Sequence, residues 1–280
     1  MPSFDIYTVD AFTATKFGGN AAGVVVIPPG EDVDAATKQA IASEFNLPMT
    51  AFIQLQNGSE YSLQWFNPVS PAAFCGHATL AAAHVLLNER QTPLPLVFDS
   101  RVGMLCVSKQ NDMITLEFPS NPPTLVANPP AAYLAVTNEL QLTHRVAFYH
   151  APQLNDLVIL IDGITDTELA SMEFAPSQST IDGILALNLR AIVFVARSHT
   201  EDADSIARVF NVLHDRVPED QVTGSAHTIV APLFHTLYGM STIRAHQCSR
   251  RGGRMLLELN NDKVQVSGSA VTVLRGTITI

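Results

Sequence analysis

Two segments of the chain combine ionisable side chains with a glycine and then a run of small residues typical of a helix. The first is Phe-Cys-Gly-His-Ala-Thr at residues 74–79, and the second is Glu-Asp-Gln-Val-Thr-Gly-Ser-Ala-His at residues 219–227. The backbone N–H groups in the first turn of a helix have no partner inside the helix, so they are suited to bind anions. If both segments face one cleft, they hold the two ends of a small anionic molecule.

Glu44 is the candidate general acid/base. It follows Ile41 by three residues and Ala40 by four, which places it on the apolar side of a predicted helix over residues 34–45. A carboxyl group withdrawn from water at such a position could take up a proton and return it. The alternative is a glutamate at the edge of the apolar stripe that reaches water, and the pattern gives the two interpretations equal weight.

His77 and Cys75 flank Gly76 at the predicted start of the next helix. The positive end of the helix dipole favours a neutral imidazole, which can donate one hydrogen bond and accept another. The alternative for His77 is a bond to a neighbouring carbonyl group. Cys75 could be a thiolate activated by the helix start, although a buried, unreactive cysteine is commoner.

In the second half of the chain, Asp220 could orient an ammonium or hydroxyl group of a ligand, or it could be a cap or turn residue. The neighbouring Thr223, Gly224 and Ser225 favour a binding loop. Residues 18–23, Gly-Gly-Asn-Ala-Ala-Gly, lack the spacing of a dinucleotide-binding motif and lead into a predicted strand, residues 24–27, where that motif needs a helix. They predict a backbone turn beside the site.

The composition excludes several classes of protein. The chain has 280 residues, 47% hydrophobic and 15% charged, which is enough apolar material for two folded lobes. A net charge of -10 argues against a nucleic-acid partner, and no apolar run approaches the roughly 20 residues of a membrane helix. The three cysteines and the scattered histidines have neither disulfide nor metal-ligand spacing, so we expect no metal site and a reducing, cytoplasmic setting.

Short strand-like runs dominate the chain, with few helices between them. The predicted helices are residues 34–45, 76–89, 201–212 and 224–238, and Pro232 should kink or split the last of these. The predicted strands are residues 4–9, 23–27, 51–55, 61–66, 103–107, 113–118, 145–149, 157–161, 191–196, 242–247, 254–259, 263–266 and 271–280. This pattern is typical of an α+β fold in which curved sheets surround a central helix.

The order of strands and glycine-led helix occurs once in each half of the chain. The Pro- and Asn-rich residues 120–130 lie between the two occurrences. We therefore predict an N-terminal lobe, residues 1–120, and a C-terminal lobe, residues 131–269.

Taken together, these segments resemble the PhzF-like isomerase family of phenazine biosynthesis, which shares the diaminopimelate epimerase fold. The matching segments follow one another over nearly the whole chain: residues 10–13, 17–20, 41–47, 65–68, 75–80, 218–220, 223–227 and 247–253. The breadth of the match raises Glu44 and His77 above the alternatives given for each.

The resemblance implies two similar lobes, each a curved, mostly antiparallel sheet around a central helix, with the active site in the cleft between them and no cofactor. Glu44 would then be the catalytic acid/base that removes a proton from one carbon of a small anionic metabolite and returns it to another. The final strand, residues 270–280, would join the first lobe, and the family resemblance is compatible with a homodimer. The substrate-binding residues that it implies are Asn20, Cys75, Gly76, His77, Asp220, Gly224 and Ser225.

The chain also departs from the family pattern. Thr223 stands where the epimerases that use two thiols have their second cysteine, which leaves only Cys75 and argues against two-thiol epimerisation. The other departures are Pro48, Met49, Gln64 and Pro71. They point to an alternative function, a non-catalytic small-molecule-binding or interaction protein of the same fold, against which the presence of Glu44 speaks.

Overall fold

The computed structural model describes residues 3–213 and 216–280. The chain forms two compact units. Unit 1 comprises Met1–Glu117 and Gln265–Ile280, and unit 2 comprises Phe118–Val264. Each unit has its own apolar core.

The chain is rich in strands. The strands are β1 (Ser3–Ala11), β2 (Asn20–Ile27), β3 (Met49–Asn57), β4 (Glu60–Phe66), β5 (Pro71–Ala72), β6 (Leu96–Ser100), β7 (Gly103–Gln110), β8 (Met113–Pro119), β9 (Thr124–Leu125), β10 (Arg145–Ala151), β11 (Asp156–Asp162), β12 (Ala191–Arg197), β13 (Ser205–Asn211), β14 (Glu219–Asp220), β15 (Thr242–Gln247), β16 (Gly253–Asn260), β17 (Lys263–Gly268) and β18 (Ala270–Thr279). The helices are α1 (Ala35–Phe45), α2 (Gly76–His84), α3 (Ala131–Glu139), α4 (Asp166–Ser171), α5 (Gln178–Ala186) and α6 (Gly224–Tyr238), and α2 continues as a short π-helix, Val85–Glu89.

In unit 1 the first strand lies between β2 and the last strand of the chain. β1 is antiparallel to both β2 and β18, β2 is parallel to β3, and β3 is antiparallel to β4. β4 then pairs in parallel with β6, and β6 is antiparallel to β7. Residues 24–27 of β2 are Val-Val-Val-Ile and all are buried, as expected for a strand that is covered on both faces.

The central helix of unit 1 is α2. It packs against β1, β2, β3 and β18, and every residue from Gly76 to His84 is buried. Five of its nine residues are glycine or alanine. Because small side chains let backbones approach closely, the strands can surround the whole body of this helix.

Unit 2 repeats the topology of unit 1. β10 is antiparallel to β11, β11 is parallel to β12, β12 is antiparallel to β13, β13 is parallel to β15, and β15 is antiparallel to β16. This is the order of directions found from β1 to β7. The two-residue strands β5 and β14 pair at the equivalent place, and a central helix, α2 or α6, begins four residues after each. The two units are therefore two copies of one mostly antiparallel topology, and the predicted α+β class is confirmed.

Most of the predicted elements are present, but residues 201–212 are not a helix. Residues 205–211 form strand β13, with β12 on one side and both β14 and β15 on the other. Its apolar residues Ile206, Val209 and Phe210 also fit the period of a helix, and short apolar runs are ambiguous in this way. Pro232 does not split α6, which runs without interruption from Gly224 to Tyr238.

No helix in residues 3–213 and 216–280 is long and apolar enough to cross a membrane.

The position of α1 depends on a glycine in β2, and this gives a first prediction. A Cβ atom on Gly23 would lie 2.5 Å from the ring of Phe45 and 3.0 Å from the hydroxyl oxygen of Thr50. Gly23→Ala should therefore displace Phe45 and lower the free energy of unfolding by about 1–3 kcal/mol, as overpacking does. Urea denaturation measures the difference.

The matched control is Gly276→Ala in β18 of the same unit, where an added Cβ atom comes no closer than 3.7 Å, to Ile6. We expect this variant to stay within about 0.5 kcal/mol of the wild type. Equal effects of the two substitutions would contradict the close contact between Gly23 and Phe45.

Candidate active site

In unit 1 several of the candidate residues meet at the start of α2. β1 ends at Ala11, the chain turns through residues 12–19, and β2 begins at Asn20, which pairs with Ala11. Asn20 is fully buried, and its side-chain nitrogen lies 3.3 Å from Nδ1 of His77, the second residue of α2. The Sγ atom of Cys75 lies 3.3 Å from the same ring nitrogen. The structure therefore brings Asn20, Cys75 and His77 together.

Two neighbours fix the position of the His77 ring. The side-chain amide of Asn20 and the thiol of Cys75 both lie 3.3 Å from Nδ1. His77 is only 7% exposed, which holds the ring in one orientation. The result is a buried imidazole fixed beside the helix start, which in its neutral form can donate one hydrogen bond and accept another.

The turn into α2 is held from the core side and has no side-chain cap. Cys75 occupies the N-cap position without forming a side-chain cap bond. The Thr79 hydroxyl donates to the Cys75 carbonyl at 2.7 Å, and the Trp65 indole N–H donates to the Thr79 hydroxyl at 3.2 Å. An anion-binding helix start needs this arrangement, in which no side-chain acceptor from the N-cap covers the first-turn amides.

The turn before Asn20 admits only glycine at one position. Gly19 has a φ of +59°, and a Cβ atom there would lie 2.1 Å from the carbonyl oxygen of Ala11. The buried carboxylate of Asp10 accepts a hydrogen bond from the backbone N–H of Phe17 at 2.7 Å. These two features fix the loop that places Asn20 beside His77.

Glu44 lies in the last turn of α1 and is exposed. The expectation that it is buried is wrong, and the alternative, a glutamate that reaches water, is the one observed. The apolar stripe of α1 runs through Ile41, Ala42 and the half-buried Phe45, which leaves Glu44 on the neighbouring side of the helix. Asn46 ends the helix in the left-handed conformation, with a φ of 48°.

In unit 2 the binding loop is tied to the end of β15. The Asp220 carboxylate accepts from the Thr223 hydroxyl at 2.6 Å. The fully buried Gln247 accepts from the Thr223 backbone N–H at 2.8 Å and donates to the Asp220 carbonyl oxygen at 2.6 Å. Asp220 is therefore held as a turn residue, and its carboxylate is fixed beside the start of α6.

Gly224 and Ser225 begin α6, which also lacks a side-chain cap. The Ser225 hydroxyl oxygen accepts a hydrogen bond from Nη1 of Arg190 at 3.1 Å. Arg190 in turn forms a two-bonded ion pair with the fully buried Asp156. A positive group is thus fixed at this helix start.

His227, one turn into α6, is fully buried. Its Nδ1–H donates to the Thr223 carbonyl oxygen at 2.9 Å, and its Nε2 has no partner among the residues that the structure describes. Burial lowers the pKa of His227 to about 4, although the bond to the Thr223 carbonyl opposes this shift. His227 is neutral at physiological pH.

The repeated topology makes the two helix starts equivalent position by position. Thr79 in α2 and His227 in α6 each bond to the carbonyl oxygen of the residue before the helix. The equivalent pairs, in the order unit 1 then unit 2, are Asn20 with Asp156, Ala72 with Asp220, Cys75 with Thr223, Gly76 with Gly224, His77 with Ser225, and Thr79 with His227.

Three residues of this arrangement, Asp156, Arg190 and Gln247, are absent from the sequence-based predictions of the site. A signal was available for two of them, because Asp156 and Arg190 are charged residues placed directly before the apolar runs of β11 and β12. Within the two described ranges of the chain, no three His, Cys, Asp or Glu side chains are grouped as a metal site requires.

The buried His227 gives a prediction about acid stability. Its folded-state pKa of about 4 lies below the ordinary value of 6.5, so the stability it contributes is complete above about pH 6.5 and is lost as the pH falls toward 4. His227→Asn keeps a donor to the Thr223 carbonyl and cannot titrate. Between about pH 7 and pH 5 the wild type should lose about 2 kcal/mol more unfolding free energy than His227→Asn. Urea denaturation at the two pH values measures the difference.

A constant offset between the two proteins at both pH values would show that His227 does not titrate on unfolding. The surface variant His199→Asn is the control and should follow the pH dependence of the wild type, because His199 is exposed.

Several known proteins are similar to this chain in fold, and some of them also in sequence. A hydroxyproline epimerase from Agrobacterium vitis superposes with a TM-score of 0.61 at 10% identity, over 99% of this chain and 92% of that chain, which shows likeness of fold alone. A PhzF family phenazine biosynthesis protein from Enterococcus faecalis superposes with a TM-score of 0.85 at 31% identity and covers 100% of both chains. The epimerase-like α+β fold implied by the sequence resemblance is confirmed.

The sequence comparisons agree with the structural ones. A protein from Halalkalibacterium halodurans described as an uncharacterised isomerase is 36% identical over 281 residues, 99% of each chain. The family model described as phenazine biosynthesis-like protein matches residues 9–276. The chain therefore belongs to the PhzF family of phenazine biosynthesis-like proteins, some of whose members are named isomerases.

Proposed function

We propose that this protein is a cofactor-independent isomerase that moves a proton between two carbons of a small carboxylated substrate. The observation that carries the proposal is the imidazole of His77, held by the buried Asn20 beside an uncapped helix start. An imidazole fixed next to first-turn amides suits a substrate that carries a carboxylate and a second polar group.

Glu44 is the acid/base of the proposed reaction. Its carboxyl group is exposed, so it exchanges its proton with water before and after each turnover. A proton that it returns to the substrate then comes from the solvent. This makes incorporation of solvent deuterium the natural assay for the proposed function.

The remaining polar groups bind the substrate. The backbone amides near Gly76, Gly224 and Ser225 receive carboxylate oxygens, since both helices begin without a side-chain cap. The Asp220 carboxylate, fixed by the Thr223 hydroxyl, suits a substrate ammonium or hydroxyl group.

The alternative is a non-catalytic binding protein of the same fold. The exposure of Glu44 favours it, because the acid/base groups of enzymes are commonly withdrawn from water by burial. The presence of His77, Asn20 and Asp220 in hydrogen-bonded arrangements fits both functions, so an experiment on Glu44 must decide.

The test is Glu44→Gln in a solvent-exchange assay. A bacterial metabolite extract in D2O is incubated with each protein, and mass spectrometry follows metabolites that gain one deuterium. Wild type should label at least one small carboxylate. Glu44→Gln should label the same metabolite at least about 100-fold more slowly, because a positioned acid/base accelerates proton transfer by about 10² to 10⁴. The amide has the same shape but cannot accept the proton.

The matched control is Glu31→Gln, which alters another exposed glutamate of unit 1. It should label at the wild-type rate. Labelling by Glu44→Gln within about threefold of wild type would remove Glu44 from the mechanism. No labelling by the wild type would favour the binding protein.

Cys75→Ser separates acid/base chemistry from thiol chemistry. Its equivalent in unit 2 is Thr223, so the pair of thiols that a two-thiol epimerase needs is absent from these positions. We expect Cys75→Ser to keep the labelling rate within about tenfold of wild type, as loss of one hydrogen bond to the His77 ring would. A loss as large as that of Glu44→Gln, with substrate protection against iodoacetamide, would indicate a thiol mechanism instead.

A further inference from the structure

We propose that Arg190, held by the buried carboxylate of Asp156, is a positioning residue that directs the hydroxyl proton of Ser225 toward an anion at the start of α6. This inference rests on the proposed function, in which Gly224 and Ser225 receive the carboxylate of the substrate.

The register of two strands brings Asp156 and Arg190 together. Asp156 is the first residue of β11 and pairs in parallel with Ala191, and Arg190 directly precedes Ala191. The Arg190 backbone N–H donates to the Asn155 carbonyl oxygen at 2.9 Å, which fixes the backbone at this point. The side chains of Asp156 and Arg190 therefore leave adjacent strands at the same level.

The ion pair fixes the plane of the guanidinium group. Nε of Arg190 donates to one carboxylate oxygen of Asp156 at 2.9 Å, and Nη2 donates to the other. A two-bonded fork of this kind allows one orientation of the guanidinium group. Asp156 is fully buried, so its carboxylate has no competing water contact that would release the fork.

The third nitrogen of the guanidinium group sets the direction of the Ser225 hydroxyl. Nη1 of Arg190 lies 3.1 Å from the Ser225 oxygen, and a guanidinium group can only donate. The Ser225 oxygen must accept this bond, so its own proton points elsewhere. Within residues 3–213 and 216–280 the hydroxyl has no second partner. Its proton is available to a ligand at the helix start.

The ion pair between Asp156 and Arg190 offsets the cost of burying the Asp156 carboxylate. Burial raises the pKa of Asp156, and the Arg190 guanidinium opposes this shift. Buried ion pairs often contribute little to the free energy of unfolding, so a stabilising role is a weak explanation for the presence of this pair. The Arg190 side chain is 37% exposed, which leaves positive charge accessible beside the positive end of α6. This combination favours a bound anion.

Unit 1 supports the assignment because there a buried polar side chain contacts the second residue of the central helix directly, without an intervening arginine. Asn20 occupies the position of Asp156, and it contacts His77, the second residue of its central helix, directly. Ser225 is the second residue of α6 and is too short for such a contact. Arg190 spans the gap between Asp156 and Ser225. In both units a buried polar residue at the start of the second strand orients the second residue of the central helix.

The experiment is a titration of the ¹⁵N-labelled full chain with sodium acetate at constant ionic strength, followed by the NMR shift of the Ser225 backbone amide. Wild type should give a saturable shift. Arg190→Gln should weaken acetate binding by about tenfold, and Arg190→Lys, which keeps the charge and loses the fork, should weaken it by an intermediate factor. The matched control is Arg244→Gln, because Arg244 forms the same kind of two-bonded pair with Asp204 and has no contact with Ser225.

A double-mutant cycle tests whether Arg190 acts through Ser225. In a Ser225→Ala background, Arg190→Gln should weaken acetate binding by only about threefold, because the hydroxyl that Arg190 orients is already gone and only the attraction of its charge is lost. An undiminished tenfold loss in that background would show that Arg190 contacts the anion itself and would overturn the positioning role. If Arg190→Gln does not fold, the same cycle with Arg190→Lys decides the question.

Two results would overturn the inference. One is the absence of a saturable shift at Ser225 in the wild type, which would mean that acetate has no site at this helix start, and the other is equal acetate affinities for wild type and Arg190→Gln. The outcome is independent of the solvent-exchange assay. Acetate binding that depends on Arg190 in a protein that labels no metabolite would support this inference and overturn the isomerase activity.

Discussion

The start of a buried helix is the constraint on which the rest of each unit depends. The body of α2 is packed among strands, and in α6 every residue from Ala226 to Phe234 is buried, so polar groups along these stretches could not be solvated. The first-turn amides of such a helix still need acceptors. Polar residues must therefore be gathered at the helix start, and all the candidate site residues except Glu44 are found there or next to it.

The two helix starts differ in chemistry because the second residue of each central helix, His77 in α2 and Ser225 in α6, has a side chain of different length. His77 reaches the buried amide of Asn20 directly. Ser225 does not reach the equivalent Asp156, and Arg190 lies between them. One helix start thus carries an imidazole held by a buried amide, and the other carries a guanidinium group fixed by a buried carboxylate.

The sequence predicts those parts of the molecule whose pattern is local. The apolar run of residues 24–27 and the glycine-led helices at Gly76 and Gly224 have the predicted form. Residues 205–211 form a strand and not the predicted helix, because the hydrogen bonds that make them a strand come from residues distant in sequence. Asp156 and Arg190 were missed for the same reason, since 34 positions separate them along the chain and only the parallel register brings them together.

Glu44 shows that residue spacing along a helix does not by itself predict whether a side chain is buried or exposed. Its spacing from Ile41 is that of the apolar stripe, but the stripe is centred on Ile41, Ala42 and Phe45, and one residue of rotation takes Glu44 into water. The packing of Phe45 over Gly23 fixes the last turn of α1, from which the Glu44 side chain extends. An acid/base in water gains little from its surroundings until a ligand excludes the solvent, and electrostatic interactions strengthen when it does. For the proposed isomerase, the environment that activates Glu44 must therefore be completed by the bound substrate.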